Sequence, residues 1–165
     1  DLHKAIRRQR QMCIRDRWTP MHAEESALWS LDRKDGMEKA YCCFNSNARD
    51  FARFGQLLLN NGQWDGQQLI SPAYLAEATS PDTRLVYKDL GKPNHCYGFQ
   101  YWILDYKGMK IPYMRGILGQ YVFTLPEKNA VIVRLGHKRS DTYTADQHYP
   151  DDINTWLDAA MDLLQ

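Results

Sequence analysis

The spacing of apolar residues changes partway along this chain, and that change limits the folds open to it. Between Asn47 and Asn60 the spacing is helical. Phe51, Phe54, Gly55 and Leu58 recur at i, i+3, i+4 and i+7 and form one apolar face, with Arg49, Asp50, Arg53 and Gln56 on the other side. Asn47 can cap the N-terminus with Asp50 three residues on, in the manner of a capping box. Asn60-Asn61-Gly62 then supplies the left-handed residues that stop a helix. From Tyr97 the period is two. Tyr97, Phe99, Tyr101 and Ile103 alternate with Gly98, Gln100, Trp102 and Leu104, which predicts a strand largely covered on both faces. A turn around Asp105–Gly108 leads to an extended Lys110–Met114. Strands Gln120–Leu125 and Ala130–Leu135 follow, joined by the hairpin turn Pro126-Glu127-Lys128-Asn129. Asp151-Asp152 opens a closing helix whose buried stripe is Ile153, Trp156, Leu157, Ala160 and Leu164. The expected class is α+β, an antiparallel sheet flanked by helices.

The intervening segments read as connections. Trp18–Lys39 is loop-like, with Pro20 and the turn signal Asp35-Gly36. Trp64-Asp65-Gly66 is a tight turn between two short extended pieces. Ser71 and Pro72 are suited to the N-cap and first position of a short helix that ends near Thr79-Ser80-Pro81. Residues 82–96, with Gly91, Pro93 and Asn94, read as a loop. There is no internal repeat.

At 165 residues the chain fits one domain and can bury a core without a disulfide or metal staple. No apolar run approaches a membrane span, and a formal net charge of +1 argues against a dedicated nucleic-acid or membrane binder. The charge is uneven: residues 1–17 carry +4 and the remainder −3. A basic arm without aromatics or a recognition motif reads as a disordered or foreign leader. Met12-Cys13-Ile14-Arg15-Asp16-Arg17 resembles translated sequencing-adapter read-through, so the authentic domain is expected over 18–165.

Cys13, Cys42, Cys43 and Cys96 form no C-x-x-C pair, and adjacent Cys42 and Cys43 are not expected to bridge, because a vicinal disulfide strains the backbone. His3, His22, His95, His137 and His148 are scattered, so no metal site and no cofactor is expected. No serine has lysine three positions later, no tyrosine opens a Y-x-N or Y-x-S, and there is no G-x-S-x-G elbow, P-loop or G-x-G-x-x-G. Cys42 or Cys43 with His95 or His137 as base is the one alternative nucleophile, although small apolar packing is the commoner fate of a cysteine. The most unusual stretch is Met114-Arg115-Gly116-Ile117-Leu118-Gly119-Gln120-Tyr121. Two glycines three apart beside a strand mark either a close approach to the backbone or a bend of the sheet.

Tyr41-Cys42-Cys43-Phe44-Asn45-Ser46-Asn47-Ala48-Arg49-Asp50-Phe51-Ala52-Arg53-Phe54-Gly55, then Asn61-Gly62-Gln63-Trp64 and Leu69-Ile70-Ser71-Pro72, resemble the serine β-lactamase-like hydrolases. That family includes class C β-lactamases, penicillin-binding-protein-like enzymes, esterases and 6-aminohexanoate-dimer hydrolases. Tyr97-Gly98-Phe99-Gln100-Tyr101-Trp102, Gly116-Ile117-Leu118-Gly119-Gln120-Tyr121 and Pro126-Glu127-Lys128-Asn129 continue the match in the family's order. The likeness runs from about Trp18 to the end and corresponds to the C-terminal half of the family's domain. It implies a partial β-lactamase/transpeptidase-like fold lacking its N-terminal half, with an open sheet edge prone to self-association.

The chemistry implied by the resemblance is cleavage of a small-molecule ester or amide through an acyl-serine. The serine and lysine of S-x-x-K and the tyrosine of Y-x-N are absent here, so the fragment itself is expected to be inert. Met114-Arg115-Gly116 falls where the family has K-T-G. Gly116, with Gly119, would let substrate lie against the strand, the Ile117 N–H would donate to the oxyanion, and Arg115 would bind an anionic group if it points inward. Loss of the lysine and threonine favours an esterase, amidase or peptidase-like member over a true β-lactamase. The family's export habit implies the periplasm or cell surface. The competing expectation is a non-catalytic module that binds a peptide-like or acyl ligand beside Gly116–Gln120. Tyr97, Trp102 and Tyr121 read as cross-strand packing, and Arg49 and Arg53 as a solvated face or partners of Asp50.

Overall fold

The computed structural model describes residues 18–39, 42–87, 91–144 and 149–164. The readings of residues 1–17, including the leader and its boundary, lie outside the described residues. In chain order the elements are β1 (Leu28–Trp29), β2 (Phe44–Asn45), α1 (Ala48–Leu59), β3 (Gln63–Trp64), β4 (Gln67–Gln68), α2 (Pro72–Ala78), β5 (Val86–Tyr87), β6 (Lys92–Pro93), β7 (Trp102–Tyr106), β8 (Met109–Arg115), β9 (Tyr121–Leu125), β10 (Ala130–Arg134) and α3 (Asp152–Leu163). A single 3-10 turn, Pro126–Lys128, joins β9 to β10, and Asn129 follows it in the left-handed region.

The α+β expectation holds. β7 to β10 form one antiparallel sheet in the order β10-β9-β8-β7. Its register pairs Trp102 with Tyr113, Tyr113 with Phe123, and Phe123 with Ile132. Because alternate residues share a face, Leu104, Tyr106, Ile111, Tyr113, Tyr121, Phe123 and Leu125 all point one way. Ile153 and Leu157 of α3 close over them to make the main core. The opposite face receives α1. There Gly55 admits the sheet so closely that an added Cβ would lie 2.5 Å from Val131 Cγ1.

Helix α1 begins as its sequence predicts, with the Asn47 side chain accepting from the Asp50 N–H at 2.8 Å. Ser71 and Pro72 likewise open α2, and Gln63–Trp64 pairs with Gln67–Gln68 across the Asp65-Gly66 turn. Four expectations are corrected. Asp50 does not face solvent: it is wholly buried, because segment 24–25 folds back over the start of α1 and fills its carboxylate. The strand expected from Tyr97 starts only at Trp102. Gln100 adopts φ +66 and the Gly98 N–H bonds to the Tyr101 carbonyl, which breaks the extension. Residues 82–96 are not purely a loop, since they hold the β5–β6 pair, while the mixed segment 18–39 carries only the short β1, which pairs with β2. In α3, Trp156 and Leu164 lie outside the buried stripe, at 42% and 41% exposure, and Trp156 packs instead on the Arg134 guanidinium at the end of β10.

The expectation that Cys42 and Cys43 do not bridge is also corrected, since they form a disulfide across one peptide bond. Among the described residues, β10 pairs only with β9 and β7 only with β8, so both are edges of the sheet.

Candidate functional site

The unusual glycine stretch is the turn that joins β8 to β9. Gly116 N–H donates to the Gln120 carbonyl at 2.7 Å, and Gly119 N–H donates to the Gly116 carbonyl at 3.4 Å. Ile117 and Leu118 form its tip, and Ile117 is 80% exposed. Both expected roles for the glycines meet here, and what approaches their backbone is the protein itself. The Gln120 side chain folds over Gly116, where a Cβ would come within 2.9 Å of the Gln120 Cβ. Gly119 adopts φ +84 with the Lys138 carbonyl 2.5 Å from the position its Cβ would take.

Three side chains brace this turn. Gln120 Oε1 accepts from the Leu118 N–H at 3.1 Å while its Nε2 donates to the Gly136 carbonyl at 2.5 Å. Arg139 Nε donates to the Ile117 carbonyl at 2.8 Å. Arg134 donates through one terminal nitrogen to the Gly119 carbonyl and through the other to the Lys138 carbonyl at 3.0 Å. The Arg134 guanidinium also sits 4.5 Å from the Trp156 ring centre, so α3 supports the turn through a cation–π contact. This contact accounts for the position of Trp156 outside the core.

The expected site residues separate by face. Met114 pairs with Val122 and lies on the α1 side of the sheet, whereas Arg115 pairs with Tyr121 on the α3 side. Arg115 stacks over the Trp102 ring with its guanidinium carbon 3.5 Å from the centroid, and it reaches the Tyr113 hydroxyl at 3.5 Å. Arg115 therefore does not share a face with Met114. Gly116, Ile117 and Gly119 are brought together in the turn.

Burial pushes the Tyr121 hydroxyl up to about 12, and the Asp152 charge adds to this while Arg134, Arg115 and Arg139 oppose it. Burial raises Tyr113 further, against the pull of Arg115. Both phenols stay protonated at neutral pH, so neither can stand in for a tyrosinate base. Cys42 and Cys43 are joined to one another and hold no thiolate in this state. Among the described residues, no group of three or more His, Cys, Asp or Glu side chains is placed to hold a metal, and no helix is long and apolar enough to cross a membrane.

Sequence reasoning missed Gln120, Arg134, Arg139 and Trp156. Each acts on a backbone carbonyl or on a partner 15 to 22 residues away, apart from Gln120's contact with Leu118. No periodicity signals contacts of that kind. Only the placement of Gln120 beside the glycine pair was readable.

The arrangement of α1 and α3 on opposite faces of this antiparallel sheet matches part of the β-lactamase-like fold. The chain is similar to a structure from Bacillus anthracis assigned provisionally as a 6-aminohexanoate-dimer hydrolase. The TM-score is 0.70 with 25% identity, over 92% of this chain and 37% of that one. It also shares the fold of a penicillin-binding-protein homologue from Caulobacter crescentus, with a TM-score of 0.50 and 22% identity over 65% of this chain and 30% of that one. The chain thus spans little more than a third of the length of the first. No protein-family model matches the sequence, and neither does any curated protein. What the chain shares with both structures is the fold.

Proposed function

We propose that this chain forms the sheet side of the acyl-transfer site of a serine hydrolase that cleaves an ester or amide bond through an acyl-serine. The Ile117 N–H is the oxyanion donor in this reading, and Gly116 and Gly119 are the backbone against which the acyl group lies. The observation that carries it is the braced turn. The Gly116 carbonyl is held inward by the Gly119 N–H, so in a trans peptide the Ile117 N–H points the opposite way, out of the turn. A donor fixed before the reaction stabilises developing negative charge without reorganising. Arg115, stacked on Trp102 on the other face, has the role of stiffening β7 against β8.

The serine, lysine and tyrosine of the reaction come from polypeptide other than these 165 residues, because no S-x-x-K and no Y-x-N occurs within them. The chain alone is then inert. Purified, it is expected to release no nitrophenol from a p-nitrophenyl ester above the buffer rate. Turnover abolished by a serine-directed phosphonate would overturn that. Reading the source DNA upstream in the same frame tests the assignment itself. An open frame that enters near Trp18 and carries S-x-x-K then Y-x-N supports it. A start codon and promoter immediately before residue 1 would overturn it in favour of a binding module.

A further inference from the structure

The geometry points to a second site, remote in chemistry from the first: we propose that Cys42 and Cys43 form a reversible dithiol/disulfide modification site whose state sets the shape of an aromatic groove. The two residues are joined with their Cα atoms 3.7 Å apart. A crosslink between neighbours closes almost no loop, so it contributes little by restricting the unfolded chain and is not a staple. What it constrains is local backbone. Cys43 holds φ +75, a left-handed conformation that a residue with a Cβ rarely adopts.

The carbonyls of this pair are anchors. The Cys42 carbonyl accepts from Trp29 Nε1 at 3.1 Å, and the Cys43 carbonyl accepts from the Ser30 N–H at 3.0 Å and from Asn45 Nδ2 at 3.1 Å. Next in sequence is Phe44, whose ring meets those of Trp18 at 5.1 Å and Trp29 at 5.3 Å. These three rings, with Glu24, Glu25 and Glu38, line an open groove of about 810 Å³. Cys43 is exposed and Cys42 half-buried, so a reagent reaches the Cys43 sulfur first.

Reduction needs a dithiol as its source of two electrons. One reductant thiolate attacks Cys43 Sγ, the S–S bond breaks, and Cys42 Sγ leaves as a thiolate and takes up a proton. The second reductant thiol then attacks its own sulfur in the mixed disulfide. Cys43 departs as a thiolate and is protonated, and the reductant ends as a disulfide. With the crosslink open, Cys43 is released from the left-handed region, the Cys42 carbonyl shifts relative to Trp29 Nε1, which keeps its bond to the Lys39 carbonyl at 2.8 Å, and the groove wall at Phe44 moves.

The test uses the whole chain with dithiothreitol as reductant and iodoacetamide as label. Before reduction, the tryptic peptide Ala40–Arg49 is expected to carry no label. After titration it carries two, while the buried Cys96 stays unlabelled and so reports an intact fold. Tryptophan emission shifts over the same titration, and Trp29→Phe abolishes the shift. The paired variant Cys42→Ser with Cys43→Gly, in which glycine accepts φ +75, shows no response to dithiothreitol. Labelling of both cysteines before any reduction would overturn the proposal. So would reduction that occurs only together with labelling of Cys96, or reduction that leaves the emission of Trp29 unchanged.

Discussion

Asp50→Ala is expected to destabilise the fold by about 3–5 kcal/mol, the scale for removing one partner of a buried ionic network. The Asp50 side chain is wholly buried, yet its carboxylate is saturated. It accepts from the Glu24 N–H at 2.7 Å, the Glu25 N–H at 3.1 Å, Asn47 Nδ2 at 2.9 Å and Arg53 Nε at 3.1 Å. Alanine leaves two backbone donors without their acceptor, while Arg53 keeps only the Glu24 carboxylate at 3.2 Å. Asp50→Asn keeps one acceptor oxygen but aims an NH₂ at a donor, so its cost is lower, about 2 kcal/mol. Urea unfolding of the two variants measures both values. An Asp50→Ala midpoint equal to that of the parent would show that segment 24–25 is not held by this carboxylate.

The same residue makes the fold acid-sensitive, and the sign follows from its partners. Burial alone pushes the Asp50 carboxyl up, but the Glu24 and Glu25 amides, Arg53 and Asn47 together bring it below the usual carboxylate range. A group whose folded pKa is depressed adds stability that is fully present above its unfolded value of about 3.9 and is lost as pH falls through the folded value. The gap between the parent and Asp50→Asn is therefore constant near neutral pH and closes below about pH 4. A gap as large at pH 2 as at pH 7 would mean that the ionised form does not matter.

Asp50 also shows what could and could not be read from the sequence. The helix it opens was legible because its spacing and its Asn47 cap are local properties. Its burial was not, because the amides that fill it belong to residues 25 and 26 positions earlier in the chain. The sheet was legible in the same partial way. Alternation marked β8, β9 and β10 closely, but the apparent strand from Tyr97 owed its period to a kinked segment at Gln100. In the candidate site the motif located the turn. The arginines that brace it bind carbonyls, which carry no side-chain signature. The Cys42–Cys43 bond ran against a sound steric expectation, and the left-handed backbone at Cys43 is what accommodates it.

Gly55→Leu is expected to cost about 3 kcal/mol, at the upper end for overpacking a well-filled contact. Glycine inside a helix is ordinarily worse than alanine by about 1 kcal/mol, so its presence in the middle of α1 calls for a reason. The reason is the sheet. An added Cβ would lie 2.5 and 2.9 Å from the two methyls of Val131 and 3.3 Å from a Val122 methyl. Valine has one strongly preferred χ1 rotamer and cannot easily turn both methyls aside. A larger side chain must therefore lift α1 away from β9 and β10, the face opposite the α3 core. For a domain of this size the loss corresponds to a fall in Tm of roughly 6–12 °C. Gly55→Ala separates the two effects, because its gain in helix propensity and its clash with Val131 oppose each other and leave a change within about 1 kcal/mol. Adding Val131→Ala should recover part of the Gly55→Leu loss, since residues in contact couple by about 0.5–3 kcal/mol in a double-mutant cycle. If the two substitutions instead add without coupling, the glycine does not owe its place to Val131, and the close seat of α1 on the sheet has another cause.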